Sequence, residues 1–242
     1  MKKIALILLA GLSSISAFSQ SAEEIVAKYI AKNGGKENME KLKTVKMTGL
    51  ANSNGMEFPM TILMKGKTKF KSFVTFQGMD IVQPASYDGN EVWNTNVMTM
   101  KNEMLEGEAA ESIKREALDF PDPFLTYSEN GYEIELEGEK EIDGVSYIKL
   151  NLIKPDQTIM GQDVSGMTEF LLDPKTYFIV SKTQNSPMGS LETLLSDYRN
   201  IDGIMYPFKM ETKIGGNVVS SVIMDSVEIN VPIDDSLFTF PD

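Results

Sequence analysis

The sequence predicts a mainly β, α+β fold: one large curved antiparallel sheet or open barrel, with helices covering one face. Three observations predict it. From Thr44 onward, apolar residues recur with a period of two in segment after segment. Turn residues such as Asp88-Gly89-Asn90 and Gly215-Gly216-Asn217 separate these segments, giving about ten strands at ~8–12-residue spacing. Helical composition is confined to the stretch before Thr44 and to residues 107–127. So few helices belong on one face of the sheet, whose apolar side must be covered.

The chain opens with an export signal. Met1-Lys2-Lys3 is a positive n-region, Ile4 to Leu12 an apolar h-region, and Ala17-Phe18-Ser19 a small-residue cleavage site. Cleavage is expected after Ser19, leaving residues 20–242 as a single domain. The apolar run is far shorter than the ~20 residues a membrane span needs. With no cysteine to lipidate, the mature chain is expected to be free in the periplasm, without disulfides, so packing alone must stabilise it.

Ser21-Ala22-Glu23-Glu24 reads as a capping box. The helix it starts carries Ile25, Val26, Tyr29 and Ile30 and stops at Asn33-Gly34-Gly35, where glycine supplies the left-handed cap. A short helical piece, Glu37 to Leu42, precedes the first strand, Thr44 to Ala51. The Asn52-Ser53-Asn54-Gly55 turn leads to a strand whose Met56, Phe58, Met60, Ile62 and Met64 share a face. Pro59 lacks an N–H and suits an edge or a bulge. After Lys65-Gly66, Phe70, Val74 and Phe76 face one way and Lys67, Lys69 and Lys71 the other. Strands at Met79 to Tyr87 and Glu91 to Asn94 continue the meander. Gly107 to Leu118 is a helix with Ala109, Ile113, Ala117 and Leu118 near one face, ended by Asp119-Phe120-Pro121-Asp122-Pro123. Phe124 to Tyr127 forms another helical turn. Strands then run to the C-terminus, through Tyr132–Glu141, Ile148–Leu152, Met167–Leu172, Tyr177–Gln184, Leu191–Arg199, Ile204–Ile214 and Val218–Ile229.

Composition narrows the chemistry. The chain has no histidine and no cysteine, which removes the usual general base, thiolate nucleophile and zinc ligands. No cofactor and no metal is expected. The net charge is −12, and loss of Lys2 and Lys3 with the leader deepens it by two. Such a chain repels phosphate backbones, and arginine occurs only at Arg115 and Arg199, so nucleic acid is excluded as a partner. The Glu133, Glu135, Glu137, Glu139, Glu141 ladder reads as a solvated face, because it alternates with apolar residues. Asp119 and Asp122 have the makings of an acid–base pair, but they flank Pro121, and helix-stop chemistry explains them more simply.

The best binding clue is methionine, 16 in all. Unbranched, polarisable side chains suit a surface that repacks around variable apolar ligands. The Met56, Phe58, Met60, Ile62, Met64 face and the Phe70, Val74, Phe76 face are expected to look into one apolar interior beneath the helices. Ordinary core packing would produce the same stripe. Trp93, the only tryptophan, either lines the mouth of that interior or packs beside the Asp88-Gly89 turn.

Several stretches, in this order, resemble the LolA-like, outer-membrane lipoprotein-sorting proteins. They are Ala31-Lys32-Asn33-Gly34-Gly35, Tyr87-Asp88-Gly89 leading to Trp93, Asp119-Phe120 before the proline pair, and Phe170-Leu171-Leu172-Asp173. Ser196-Asp197-Tyr198-Arg199 with Asp202-Gly203-Ile204 and Tyr206-Pro207-Phe208, and Asn230 to Pro241, complete the set. The resemblance implies an incomplete β-barrel whose helices close a hydrophobic cavity for acyl chains. It implies a non-catalytic carrier of an acylated lipoprotein or lipid, with an inner-membrane transporter as donor and an outer-membrane acceptor. Some carriers of this kind place an arginine in the cavity; here neither Arg115 nor Arg199 falls on an apolar strand face. The other function classes open to the sequence are a carboxylate-dependent enzyme acting on envelope lipid or glycan, and a lipid-sensing or structural envelope domain.

Overall fold

The computed structural model describes residues 20–53, 55–159 and 161–241. The leader, 1–19, with its cleavage point, and Asn54 of the first turn lie outside the described residues. The order of elements is α1 (Ala22–Lys32), α2 (Lys36–Glu40), β1 (Thr44–Ser53), β2 (Met56–Lys65), β3 (Lys69–Phe76), β4 (Met79–Tyr87), β5 (Val92–Asn96), β6 (Lys101–Leu105), α3 (Gly107–Ala117) and α4 (Pro123–Thr126). There follow β7 (Glu133–Ile142), β8 (Val145–Ile153), β9 (Gln157–Ile159), β10 (Gln162–Val164), β11 (Met167–Leu172), β12 (Ile179–Ser186), β13 (Gly189–Ile201), β14 (Ile204–Ile214) and β15 (Asn217–Ile229).

Thirteen strands form one sheet in the order β6-β5-β4-β3-β2-β1-β15-β14-β13-β12-β11-β8-β7, while β9 and β10 pair separately. Neighbouring strands run antiparallel throughout. The sheet is not closed, because β6 and β7 are its two edges. The chain passes from one edge to the other through α3 and α4, so the helical segment spans the opening. The face these helices cover is called inner below.

Local chemistry explains the ends of α1. Ser21 Oγ accepts the Glu24 N–H at 3.3 Å, half of the expected capping box. The Gly35 N–H donates to the Ile30 carbonyl at 2.8 Å, with Gly34 and Gly35 at φ of 128° and 82°. A Cβ on Gly34 would lie 2.6 Å from the Gly203 carbonyl oxygen, so glycine lets the helix end sit directly on the β13–β14 turn. The same logic holds at Gly49, at the register shift of β1, where a Cβ would meet the Ile223 carbonyl oxygen at 2.3 Å.

Three features differ from the expectation. Pro59 lies on β2, an interior strand, but β3 pairs with β2 only from Met60 onward, so Pro59 stands just past the ladder, at a local edge. β6 and the β9–β10 hairpin were not anticipated; β6 is five residues long and exposed over all but its last, so it has no apolar face to give a period-two signal. On α3 the buried residues are Ala110, Ile113 and Ala117, whereas Ala109 and Leu118 point out. The helical stripe starts one residue later, and Leu118 follows the helix.

Four apolar clusters hold the layers together. α1 and Phe124 pack on Ile148, Leu150, Leu152, Phe170 and Leu172. Met39, Leu42 and Phe120 pack on Ile204, Phe208, Met224 and Val227. α3 packs on Ala85, Tyr87 and Val92. On the outer face, Ile233 and Phe238 of the C-terminal segment pack on Leu63. No helix among the described residues is long and apolar enough to cross a membrane.

Candidate functional site

Space remains between the inner face and the helices. A cavity of about 250 Å³ is lined by Tyr29, Met39, Leu42, Phe170, Leu195 and Ile204, among others. A second of about 300 Å³ is lined by Met64, Phe70, Ala117, Phe120 and Pro123. A third of about 200 Å³ lies toward Ile159 and Leu191. Lys154 and Gln184 line all three, so the cavities adjoin.

The expected lining residues divide by position. Cross-strand pairing puts Met60 beside Val74 and Met64 beside Phe70, so the two strand faces do form one surface. Met64 and Phe70 line the second cavity. Ile62 and Met64 also pack against the cluster of Met39, Leu42 and Phe208, which is ordinary core contact. Met60 and Val74 are half-buried. Phe58 is half-buried and meets the Phe76 ring edge-on at 5.9 Å, while Met56 and Phe76 are exposed at the strand ends.

Trp93 is not on this surface. The pairs Leu63–Lys71, Lys71–Ser86 and Ser86–Trp93 form one row across the sheet, and neighbours in a row share a face. That face is the outer one. There the Trp93 indole N–H donates to the Phe238 carbonyl at 2.8 Å, and its ring meets Phe240 edge-on at 5.7 Å. The tryptophan anchors the C-terminal segment instead of a cavity mouth.

The interior also holds charges, of which Asp119 and Asp122 alone stand out in the sequence. Lys154 donates to Asp119 Oδ2, and its ammonium lies 5.2 Å from the Tyr132 ring centroid. Asp119 Oδ1 is buried without a donor. Burial pushes the Asp119 carboxyl up against the pull of Lys154; Glu116, at the cavity edge and still open to solvent, is raised by desolvation in the same direction. Lys182 projects from β12 into the first two cavities, and burial lowers its pKa against the pull of Glu116 and Asp119. Asp122 does two jobs. It N-caps α4 through the Phe124 N–H at 2.8 Å, starting a helix where a helix stop was expected, and it accepts the Tyr29 hydroxyl at 2.6 Å. Burial raises its carboxyl to about 6.

The Asp122 shift carries a sign. A carboxyl whose pKa is raised by folding holds its proton more tightly in the native state. Its contribution is therefore full in acid and is lost as pH climbs from the ordinary carboxylate value of 3.8 through about 6. Asp122→Asn should flatten this decline while an amide still serves the cap and Tyr29. Urea midpoints at about pH 4, 5, 6 and 7 for both proteins would test it; parallel curves would refute it.

The signal for this cluster was faint in the sequence. Glu116 and Asp119 sit at a helix end, where acids need no special reason. Lys182 pairs across the sheet with Phe170 only because a register shift separates Leu171 from Leu172. Without it, Lys182 would face outward.

No family model matches the sequence, and no curated protein matches it. Solved structures do. A LolA superfamily protein from Nitrosomonas europaea superposes with a TM-score of 0.57 at 15% identity, over 92% of this chain and 99% of that one. The chain has the LolA-like fold. A domain described as that of an outer-membrane lipoprotein-sorting protein, from Vibrio parahaemolyticus, gives a TM-score of 0.56 at 11% identity, covering 90% of this chain and 95% of that one. A DUF1329 family protein from Desulfovibrio piger gives 0.54 at 13% identity, over 91% and 98%. Within this LolA-like frame Lys154 and Lys182 face the first two cavities, and Arg115 borders the third, where it donates to Gln157 Oε1 at 3.3 Å. Arg199 lies instead over the Phe208 ring at 4.2 Å, paired with Asp197 at 2.6 Å.

Proposed function

We propose that this protein is a non-catalytic periplasmic carrier that shelters an acyl chain of a lipid or lipoprotein for transfer toward the outer membrane. The observation that carries the reading is the run of adjoining cavities between an open apolar sheet and the helices that span it. Each acyl CH₂ taken out of water is worth ~0.8 kcal/mol, so a long chain needs such a surface to travel. The Met64–Phe70 wall and the Leu195–Phe170 wall offer it, and the lipoprotein-sorting fold supports it.

Native mass spectrometry of protein drawn gently from the cell envelope should reveal a co-purifying lipid. Leu195→Trp supplies the matching loss. Leu195 lines the first cavity and is only half-buried, so the larger ring should fill the space at a stability cost of ~1–3 kcal/mol. Uptake of a fluorescent fatty acid should then fall by about tenfold. Unchanged uptake, or wild-type protein that never takes up the probe, would defeat the carrier reading.

One observation favours a catalytic reading: carboxyls with raised pKa beside two lysines, facing a cavity. On that reading Asp119→Asn would abolish turnover of an acyl ester or glycan, whereas a carrier would keep its acyl uptake.

A further inference from the structure

The two rims of the sheet differ in kind. Five hairpin turns stand side by side along one rim, in the sheet order β5–β6, β3–β4, β1–β2, β14–β15, β12–β13. Their connecting residues are 97–100, 77–78, 54–55, 215–216 and 187–188, and not one is charged. Each turn or the strand end beside it carries an exposed apolar side chain. These are Val97, Met98 and Met100, then Phe76 and Met79, then Met56, then Val218, then Met188. Met98 is 92% exposed and Met188 73%. Every connection on the opposite rim between consecutive strands carries charge: Lys67, Asp88 and Glu91, Asp143, Asp173 and Lys175, and Asp202. The one long connection on the apolar rim, 154–166, holds Lys154, Asp156 and Asp163 and folds inward, so that β9 packs on α3.

We propose that the uncharged rim docks on the surface of a neutral lipid bilayer. Three features select this occupant. The apolar side chains project one by one from turn tips, and a bilayer takes isolated tips without a matching concave surface. Among the described residues the turns themselves expose only amide, hydroxyl and backbone groups besides, which the headgroup region solvates, and the nearest charges, Glu57, Asp80 and Lys101, stand on the strands beside them. In a chain of net charge −12, a rim whose five turns hold no carboxylate is also less repelled by lipid phosphates than the opposite rim, whose turns hold four aspartates and a glutamate. β2 then joins rim to cavity on one face: Met56 at the tip, followed by Phe58, Met60 and Ile62, and Met64 at the cavity wall. The proposal rests on the carrier reading and deepens it by naming the bilayer as the surface with which the acyl chain is exchanged.

The test is flotation of the purified protein with phosphatidylcholine vesicles. Wild type should float with the vesicles. Met98→Asp and Met188→Asp should each lower the bound fraction several-fold, while Val145→Asp, the same single-charge change on the opposite rim, should leave it unchanged. Both sites are exposed, and an unaltered circular dichroism melt would establish that the variants fold. Absence of wild-type binding, equal loss in Val145→Asp, or a dimer in solution that the rim substitutions dissociate would overturn the proposal. Acyl-probe uptake without vesicles reads the carrier function separately and should be the same in wild type and rim variants. Uptake without vesicle binding sinks the docking proposal alone. Vesicle binding without uptake sinks the carrier reading and leaves the docking surface standing.

Discussion

Lys154→Met is expected to destabilise the protein by about 3–5 kcal/mol at neutral pH. The lysine is the partner of Asp119 Oδ2, and Asp119 Oδ1 already lacks a donor. Removing the ammonium would leave a buried carboxylate with neither oxygen paired, which costs more than the pair itself contributes. The carboxyl would respond by holding its proton still more firmly than its burial already makes it do. The deficit should therefore be largest near neutrality and shrink as pH falls toward about 4, because the protonated acid needs no counter-charge. Adding Asp119→Asn to Lys154→Met should recover most of the loss, since both members of the pair are then uncharged. Urea unfolding of the single and double variants at neutral and acid pH would measure this. A single-variant deficit under about 1 kcal/mol at neutral pH would mean that the pair is solvated, with the energetics of a surface contact.

Phe124→Ala should cost about 3–5 kcal/mol. Phe124 is among the most buried residues of the protein. Its ring stands edge-on to Tyr29 of α1 at 5.0 Å and tilted against Phe170 of β11 at 4.8 Å. It thus joins both helical layers to the sheet. α4 has four residues, too few to persist without tertiary contact. Losing this anchor should free the α3–α4 connection from the inner face and loosen the Tyr29–Asp122 hydrogen bond with it. Hydrogen exchange should rise across residues 118–127 in the variant and change little in the β1–β15 ladder. Phe124→Leu, which keeps most of the volume, should cost less than half as much. Equal costs for the two substitutions would show that the aromatic contacts, and not the filled space, carry the energy.

Much of the fold was legible along the chain. The strands at Met56–Met64, Phe70–Phe76 and Ile148–Leu152 carry enough period-two residues for their faces to be read directly, and turn residues bound the strands from Met167 to Ile229. The glycine stop of α1 and its Ser21 cap depend on chemistry within a few residues, so local sequence suffices for them. β6 escaped because an exposed edge strand buries neither face. The candidate site was legible only in part. Met64 and Phe70 were placed on the cavity side by alternation alone. Trp93 was not, because what decides its side is the row through Leu63, Lys71 and Ser86, together with a C-terminal segment more than 140 residues away that offers the Phe238 carbonyl.

The sequence by itself determined the class of the fold and the chemistry denied to it. Alternation and turn residues act over a few positions, and the absence of histidine and cysteine holds whatever the shape. Tertiary structure alone decided which charges face inward. One extra residue in the β11–β12 pairing, between Leu171 and Leu172, places both Ile179 and Lys182 on the inner face, although they are three residues apart. Side chains alternate strictly along a strand, so a single bulge reverses every face beyond it. Long-range pairing likewise brought Lys154 to Asp119 across 35 residues and gathered five uncharged turns onto one rim. No local pattern reports such meetings, because they are set by the register of the whole sheet.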